Sequence, residues 1–418
     1  MRSWIVSWVQ RHPVRAGTIA GWYQQAAGGI GALAVIAMAN QWLNAREAGI
    51  WFAFQGLLGI AALTDFGIGF CIARQTAYSL SERHGELGGD FFATRPGWQG
   101  VADVYVAATV LFRRVQVASA AVLVIIYHLV LPWTKLGGSA SPSLAVTWYA
   151  LGCAVIIALR TRQDLATLEG IGWVHVSRFL SGTYMLLSGV GAGVSVAFSP
   201  RLDAMALAVL ISSGFYFLAA RAILQRVISI DLVASGHAGE LPGRVWRSAF
   251  SMGVVNTGQW LVSVAQVPLI GIVLGPDKVA PFYAAQKIGQ TLNTGALQLV
   301  GPQLPLFTRS LAQGNAAAAA ERLRNACTLH TGIALVVNLL FFAIGPVIAG
   351  TVLKSGQYVD VGTRAALAVD YTLMAVSVTA AHFVLASGKN PFLWSTLIAG
   401  VINIGLGVAL APRLGVFG

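Results

Sequence analysis

The amino-acid sequence predicts an all-α membrane protein that crosses the bilayer many times. Hydrophobic residues make up 56% of the 418 residues, charged residues make up only 10%, and the mean hydropathy is +0.71. Soluble domains average about 25% charged residues, so this surface is not suited to water. Apolar runs of about 20 residues recur along the whole chain, and each is long enough to cross a hydrocarbon core of roughly 30 Å.

Eleven apolar runs predict eleven transmembrane helices. They divide the chain into a first lobe at 1–228, a cytoplasmic linker at 229–243 and a second lobe at 244–418. Two runs are longer than one crossing needs and are expected to extend beyond the membrane. The predicted spans are 16–42, 49–80, 109–131, 143–161, 171–198, 204–228, 244–274, 279–312, 325–350, 361–387 and 392–411.

The basic residues predict the orientation of the chain. The net charge of +12 is concentrated in short segments between apolar runs, which argues against a nucleic-acid partner. Most Lys and Arg residues fall on the side of the N-terminus, among them Arg113, Arg114, Arg160 and Arg162. Cytoplasmic loops carry this excess, so the N-terminus is predicted to be cytoplasmic. The apolar stretch at 4–9 is too short for a signal peptide.

Two pairs of similar segments predict an internal repeat. Residues 43–55 read LNAREAGIWFAFQ and residues 274–286 read LGPDKVAPFYAAQ, while SPRL at 199–202 matches APRL at 411–414. Coincidence is the alternative explanation. If the match is real, two six-helix lobes are related by an axis along the membrane normal, as in parallel-repeat transporters. The chain then lacks the twelfth helix, and the second lobe lacks its final wall.

Charged residues inside apolar runs are candidates for function, because each costs about 2.5–3.5 kcal/mol at the centre of a membrane helix. The second span contains Asp65 and Arg74, and the eighth contains Lys287. Asp65 and Arg74 are about 13 Å apart along a regular helix, too far for a direct pair. Arg74 either faces a cavity or lies at the cytoplasmic end of the second span, where its side chain would reach toward the lipid headgroups.

Side-chain amides form stripes on two consecutive predicted helices. They recur at spacings of three and four residues, which places each set on one helix face. A lipid-facing amide would lack a hydrogen-bond partner, so the stripes must face protein or a watery cavity. Contacts that hold helices together are the alternative. The candidate amides are Asn256 and Gln259 on one helix, Gln286, Gln290 and Asn293 on the next, and Gln55 in the first lobe.

The sequence contains no motif of an enzyme or a metal site. A P-loop, zinc-ligand spacing and Ser-x-x-Lys are all missing from it. Cys71, Cys153 and Cys327 have no ligand spacing and are predicted to be packed thiols. We therefore expect no cofactor, no metal and no catalytic residues.

Three stretches carry a resemblance to a known family. They are EAGIWFAFQGLLGIAALTDFGIGFCIARQ at 47–75, VNTGQWLVSVAQVPLIGIVLGPDKVAPFYAAQKIG at 255–289 and SGKNPFLWSTLIAGVINIGLGVALAPRLG at 387–415. The chain resembles the Wzx-type polysaccharide (O-antigen) flippases, of the superfamily that includes multidrug/toxin extruders and lipid II flippases. The resemblance implies twelve helices in two lobes around a central cavity. It also implies alternating access that moves an undecaprenyl-diphosphate-linked oligosaccharide across the bacterial inner membrane, for lipopolysaccharide biosynthesis.

The resemblance suggests roles for the candidate residues. Arg74 and Lys287 would bind the diphosphate, since cationic side chains hydrogen-bond phosphate oxygens. The six amides would bind sugar hydroxyls, and Asp65 would carry a coupling proton. Expected partners are the lipid bilayer, the lipid-linked glycan, and the polysaccharide polymerase and chain-length machinery.

Three other functions stay open at this stage. A multidrug or cation extruder of the same superfamily would favour acidic residues in its cavity. A membrane enzyme of polysaccharide assembly would need a large outer loop or a His/Asp pair. A non-transporting scaffold is conceivable because the twelfth helix is missing.

Overall fold

A computed structural model describes residues 13–63, 65, 67–80, 97–136, 142–228, 236, 239, 241–297, 315–353, 358–386 and 392–415. All regular structure in these residues is helical, which confirms the predicted all-α class. A helix forms its backbone hydrogen bonds within one segment, which suits the interior of a bilayer.

The helices follow the order of the predicted spans, with two of the spans each divided into two helices. A π-helical turn at Ile126–Val130 and a 3₁₀ turn at Leu131–Trp133 extend the fourth helix, and a 3₁₀ turn at Pro276–Lys278 precedes the tenth. The helices are α1 (Pro13–Trp42), α2 (Ala45–Leu63), α3 (Ile68–Ser79), α4 (Gly97–Ile125), α5 (Pro142–Gly170), α6 (Val174–Phe198), α7 (Leu202–Val227), α8 (Leu241–Ser263), α9 (Gln266–Val273), α10 (Val279–Leu297), α11 (Ala316–Val352), α12 (Val361–Ala386) and α13 (Leu393–Leu414).

Within the described residues, seven helices are long and apolar enough to cross a membrane by length and composition. They are α4 to α7 and α11 to α13. The chain is thus a multi-pass membrane protein, while the predicted total of eleven crossings stays a prediction.

Side chains that cap free backbone N–H groups set the starts of α2 and α11. Asn44 Oδ1 accepts a hydrogen bond from the Glu47 N–H (2.9 Å), and Glu47 Oε2 accepts one from the Asn44 N–H (3.3 Å). This reciprocal pair is a capping box, and it starts α2. Asn315 caps α11 through the Ala318 N–H at 3.0 Å.

The two divided spans each have a local cause. Pro268 has no N–H and its ring clashes with the carbonyl of Val264, so α8 does not continue as a regular helix into α9. Gly67, between α2 and α3, has a φ of 73°, a left-handed conformation that favours glycine. The second predicted span, 49–80, and the seventh, 244–274, are thus each two helices in the structure.

Helix α5 is longer than its predicted span. It runs to Gly170 rather than to residue 161, because no Gly or Pro occurs between Cys153 and Glu169. Arg160 and Arg162, predicted in a cytoplasmic loop, therefore lie inside α5. The prediction that these two residues lie in a loop was wrong, and Arg162 belongs to the candidate site described below.

The two segments of the first proposed repeat pack against each other. Phe52 and Tyr283 occupy equivalent positions in the match of 43–55 with 274–286, and their rings stack with centroids 4.4 Å apart. Gly49 lies so close to Pro276 that a Cβ would overlap the Pro276 carbonyl. Contact between equivalent residues is expected where a two-fold axis passes between related halves, so this geometry supports the predicted repeat.

The two PRL segments differ in structure. Pro200 lies in the turn between α6 and α7, where the Arg201 guanidinium pairs with Asp203. Pro412 lies inside the last turn of α13. The second sequence match is therefore not a match of local conformation. The predicted linker at 229–243 falls largely outside the described residues, although α8 already begins at Leu241.

Candidate functional site

A cavity of about 620 Å³ lies between the two halves of the chain. Helices α2, α5, α6 and α7 line it from the first half, together with the break between α2 and α3, and α8 lines it from the second half. Its volume is in the range of pockets that bind drug-sized ligands. The lining side chains with polar atoms are Gln55, Asp65, Arg162, Tyr184, Asn256, Gln259, Trp260 and Ser263.

Asp65 lies in the break between α2 and α3 and starts α3. Its backbone carbonyl accepts a hydrogen bond from the Ile68 N–H (2.7 Å), and its Oδ1 accepts one from the Gly69 N–H (3.2 Å). The first N–H groups of a helix have no partner within the helix, and Asp is among the residues that cap them best. The carboxyl group is therefore held at the cavity wall by the helix that it begins.

Arg162 pairs with Asp65 across the cavity wall. The Arg162 Nε donates to Asp65 Oδ2 at 3.3 Å. The Arg162 side chain is 63% exposed, whereas that of Asp65 is 12% exposed. The cation that the structure places in the cavity is thus Arg162 of α5, a residue that sequence analysis had assigned to a loop.

Three of the predicted amides face this cavity with their polar groups available. Gln55 lies on α2, and Asn256 and Gln259 lie one turn apart on α8. Within the described part of the chain, none of these three side chains makes a hydrogen bond to protein. They can therefore donate to and accept from a ligand.

The other three amides are engaged by protein groups. At the break between α8 and α9, the Ser263 carbonyl accepts from Gln286 Nε2 (2.8 Å) and from Gln290 Nε2 (3.1 Å). Asn293 Nδ2 donates to the Gly289 carbonyl and to Asn338 Oδ1. Gln286 and Gln290 thus supply hydrogen bonds to a carbonyl at the end of α8, whereas Asn293 joins α10 to α11. The alternative interpretation, contacts that hold helices together, therefore applies to these three.

Among the smaller cavities of the second half, two share lining residues. The first, of about 80 Å³, is lined by Gln286, Gln290 and Asn293. The second, of about 330 Å³, adjoins it, and Gln266 and Asp370 line both. Ser263 lines both the 80 Å³ cavity and the 620 Å³ cavity, so the polar residues predicted to form one path line adjoining cavities rather than one.

The two predicted cationic ligands lie elsewhere. Arg74 is half-buried on α3, and Lys287 is half-buried on α10. Neither is among the described residues that line the three cavities. The distance of about 13 Å expected between Asp65 and Arg74 assumed one regular helix. The helix is broken between α2 and α3, and Asp65 pairs with Arg162 instead.

Solved structures share this architecture over nearly the whole chain. An inward-facing multidrug resistance MATE family transporter of the MOP superfamily superposes with a TM-score of 0.60 at 14% identity, covering 95% of this chain and 85% of that one. A MOP superfamily transporter from Pyrococcus furiosus, described as having a binding pocket of reverse polarity, gives 0.58 at 12% identity, with coverage of 97% and 89%.

A third structure, an outward-facing MATE family transporter, gives a TM-score of 0.56 at 14% identity, with coverage of 96% and 90%. The chain has the MATE transporter fold. No family model matches the sequence, and no curated protein sequence matches it.

The two aromatic residues that line this cavity, Tyr184 and Trp260, were not predicted from the sequence. Tyr184 of α6 stacks on Tyr216 at 4.5 Å and hydrogen-bonds Ser213. Trp260 of α8 lies against Gly59 of α2, where a Cβ would be 2.5 Å from its Nε1. Aromatic residues in apolar runs carry no signal that separates a cavity wall from a lipid-facing surface.

A second polar cluster holds three helices of the first half together. The Asp164 side chain of α5 is fully buried and accepts from the Tyr105 hydroxyl of α4 at 2.8 Å. Arg160 lies 3.4 Å from the same carboxylate oxygen, and Arg221 of α7 lies 3.6 Å from it. Gln163 adds a hydrogen bond to Thr109. The sequence does contain a signal for this cluster and for Arg162. No Gly or Pro occurs between Cys153 and Glu169, so the helix can be expected to continue past residue 161.

Proposed function

We propose that this protein is a transporter that works by alternating access and carries its substrate through the cavity between its halves. The observation that carries the proposal is the position of this cavity, since helices of both halves line it. A rocking motion of one half against the other would open such a site to each side in turn. The transporter fold supports the same conclusion.

The proposed substrate is an undecaprenyl-diphosphate-linked oligosaccharide, moved between the leaflets of a bacterial inner membrane. Arg162 supplies a guanidinium group for phosphate oxygens, and Gln55, Asn256 and Gln259 supply donors and acceptors for sugar hydroxyls. Arg74 and Lys287, with Gln286, Gln290 and Asn293, remain candidate ligands for another conformation, because alternating access exposes different helix faces in turn.

Several further proposals follow from the flippase assignment. The chain would act beside a polysaccharide polymerase and the chain-length machinery, with its N-terminus in the cytoplasm. The two lobes at 1–228 and 244–418 would be the moving bodies. Asp65 would couple transport to a proton, because its pairing with Arg162 depends on its charge.

A multidrug or cation extruder is the second candidate, and Asp65 is the observation that favours it. A carboxylate in the cavity suits a cationic substrate, whereas Arg162 opposes one. The two functions predict opposite effects of Arg162→Gln. Removing the cation would weaken transport of a diphosphate and would improve transport of a cationic dye.

The experiment is complementation of a flippase-null strain by the full chain and by two Arg variants. We expect Arg162→Gln to lower surface polysaccharide by about tenfold or more, since a lost hydrogen bond to a charged group costs about 1.5–3 kcal/mol. Arg201→Gln is the matched control. Arg201 also pairs with an Asp, and its side chain is 64% exposed against 63% for Arg162, but it lies in the turn between α6 and α7.

Equal activity of Arg162→Gln and wild type would contradict the cationic cavity. Efflux of cationic dyes by a strain that lacks other pumps, together with no complementation, would select the extruder. For Asp65, transport by Asp65→Asn that still depends fully on the proton gradient would exclude the coupling role.

A further inference from the structure

Two donors from different helices bind the Asp65 carboxylate, in the way that they could bind the anionic group of a ligand. Gly69 N–H donates to Oδ1 at 3.2 Å, and Arg162 Nε donates to Oδ2 at 3.3 Å. One donor belongs to the first turn of α3, the other to the middle of the cavity wall. The carboxylate thus occupies a small anion-binding site of this chain.

The backbone of α3 makes this site accessible to the guanidinium. Gly69 has no side chain, and a Cβ there would lie 3.3 Å from Arg162 Nε and 3.6 Å from Asp65 Oδ2. The break before Ile68 also leaves the positive end of the α3 dipole at the cavity wall, which favours an anion. Arg162 and the α3 N-terminus therefore converge on one point.

Among the described residues, the Arg162 guanidinium hydrogen-bonds only Asp65. The distance of 3.3 Å between Arg162 Nε and Asp65 Oδ2 is longer than the 2.7–2.9 Å typical of charge-assisted hydrogen bonds. An arginine has five N–H donors, and the side chain is 63% exposed in the cavity. The pair can therefore open, and the remaining donors can reach a ligand that enters beside Asp65.

We propose that Asp65 is an internal competitor for the anionic group of the substrate. In the state described here its carboxylate holds Arg162. A phosphate oxygen of an entering ligand displaces it, and Asp65 then remains only as the cap of α3. This inference rests on the proposed function for the identity of the substrate, but the competition itself concerns any phosphate-bearing ligand.

A suitable substitution can separate the two roles of Asp65. Asn caps a helix as well as Asp does, because its side-chain oxygen accepts the same N–H, but it carries no charge. Asp65→Asn therefore keeps α3 in place while it removes the competitor. Arg162→Gln removes the cation, and the double variant tests whether Asp65 acts through Arg162. Asp203→Asn is the control, since it removes the acid of a pair with nearly the same exposures outside the cavity.

The measurement is binding of farnesyl diphosphate and of inorganic pyrophosphate to the full chain in lipid nanodiscs, with farnesol as the uncharged probe. We expect Asp65→Asn to bind farnesyl diphosphate about tenfold more tightly than wild type, Arg162→Gln to bind it about tenfold more weakly, and the double variant to match Arg162→Gln. Asp203→Asn should match wild type, and farnesol binding should not change.

Unchanged or weaker diphosphate binding by Asp65→Asn would overturn the proposal, as would tighter binding by the double variant than by Arg162→Gln. A gain for pyrophosphate equal to that for farnesyl diphosphate supports the proposal and locates recognition in the phosphate. The outcome is independent of complementation. If wild type fails to complement while Asp65→Asn binds more tightly, the flippase assignment falls and the competition stands.

Discussion

At the scale of single residues, the surroundings decide what a charged pair does. Arg162–Asp65 and Arg201–Asp203 have nearly the same exposure, at 63% and 12% for the first pair and 64% and 12% for the second. In each pair a largely exposed guanidinium meets a largely buried carboxylate. The difference lies in location, because only the first pair borders a cavity that both halves line.

Asp360 gives a prediction of pH dependence at the same scale, outside the membrane-spanning segments. It caps α12: Thr363 N–H donates to Oδ1 at 3.0 Å, and the Thr363 hydroxyl donates to Oδ2 at 2.6 Å. These hydrogen bonds hold the pKa of Asp360 below its ordinary value. A lowered carboxyl pKa stabilises the fold above the ordinary value of about 3.9, and this stability is lost as the pH falls through the lowered value.

We therefore expect Thr363→Ala to lower the thermal midpoint at about pH 7, and to lower it less in acid, as the pH falls through the lowered pKa of Asp360. Thermal unfolding in detergent, followed by tryptophan fluorescence, measures the midpoint at each pH. Thr351→Ala is the control, because the Thr351 hydroxyl donates to the Ile348 carbonyl and not to a carboxylate. A deficit of Thr363→Ala that is the same at neutral and acidic pH would contradict the prediction.

At the scale of elements, broken helices place polar backbone groups inside the bundle. The break between α2 and α3 is closed by Asp65, and the break between α8 and α9 is closed by Gln286 and Gln290. In a membrane, backbone groups freed by a break must find partners within the protein. Polar side chains near a break are thus of two kinds. Some hydrogen-bond the backbone groups that the break leaves without a helical partner, and others remain available to bind a ligand.

Gln286 and Gln259 represent these two kinds and give matched substitutions. Gln286→Leu leaves the Ser263 carbonyl with one hydrogen bond fewer, so we expect a loss of about 1 kcal/mol in stability and a lower thermal midpoint. Gln259→Leu removes no protein hydrogen bond in the described residues, so we expect an unchanged midpoint and weaker complementation. Equal thermal midpoints for Gln286→Leu and Gln259→Leu would contradict this distinction between an amide that holds the backbone and one that faces the cavity.

At the scale of the whole molecule, the two halves meet in one continuous apolar core. This core includes Trp51 and Phe52 from the first half and Val279 and Phe282 from the second. The stack of Phe52 on Tyr283 lies at the same contact. Related segments that touch in this way can act as a pivot while the cavity beside them changes its opening, as the proposed transport cycle requires.

Gly49 tests this contact. A Cβ at Gly49 would overlap the Pro276 carbonyl, so Gly49→Ala must push the halves apart. Overpacking of this kind costs about 1–3 kcal/mol, and we expect a lower thermal midpoint and a lower yield of folded protein. Gly214→Ala on α7 is the control, since no atom lies within 4 Å of its Cβ position. A wild-type midpoint for Gly49→Ala would contradict the close approach.

The sequence by itself determined the fold class and most helices, because both depend on local properties. Hydropathy over about 20 residues identifies a membrane segment wherever its neighbours lie. The match of 43–55 with 274–286 likewise pointed to two segments that the fold brings together. Helix ends were less accurate, since α5 continues past the predicted end of its span at residue 161 and places Arg160 and Arg162 inside a helix.

Only the tertiary structure decided which polar side chains form the candidate site. The sequence pattern placed Gln259 and Gln286 in equal positions, yet one faces the cavity and the other holds the Ser263 carbonyl. It also suggested Arg74 as the cation, whereas Arg162 reaches Asp65 from a helix distant in sequence. The physical reason is that a polar group in a bilayer must find a partner, and its partner depends on which helices pack together.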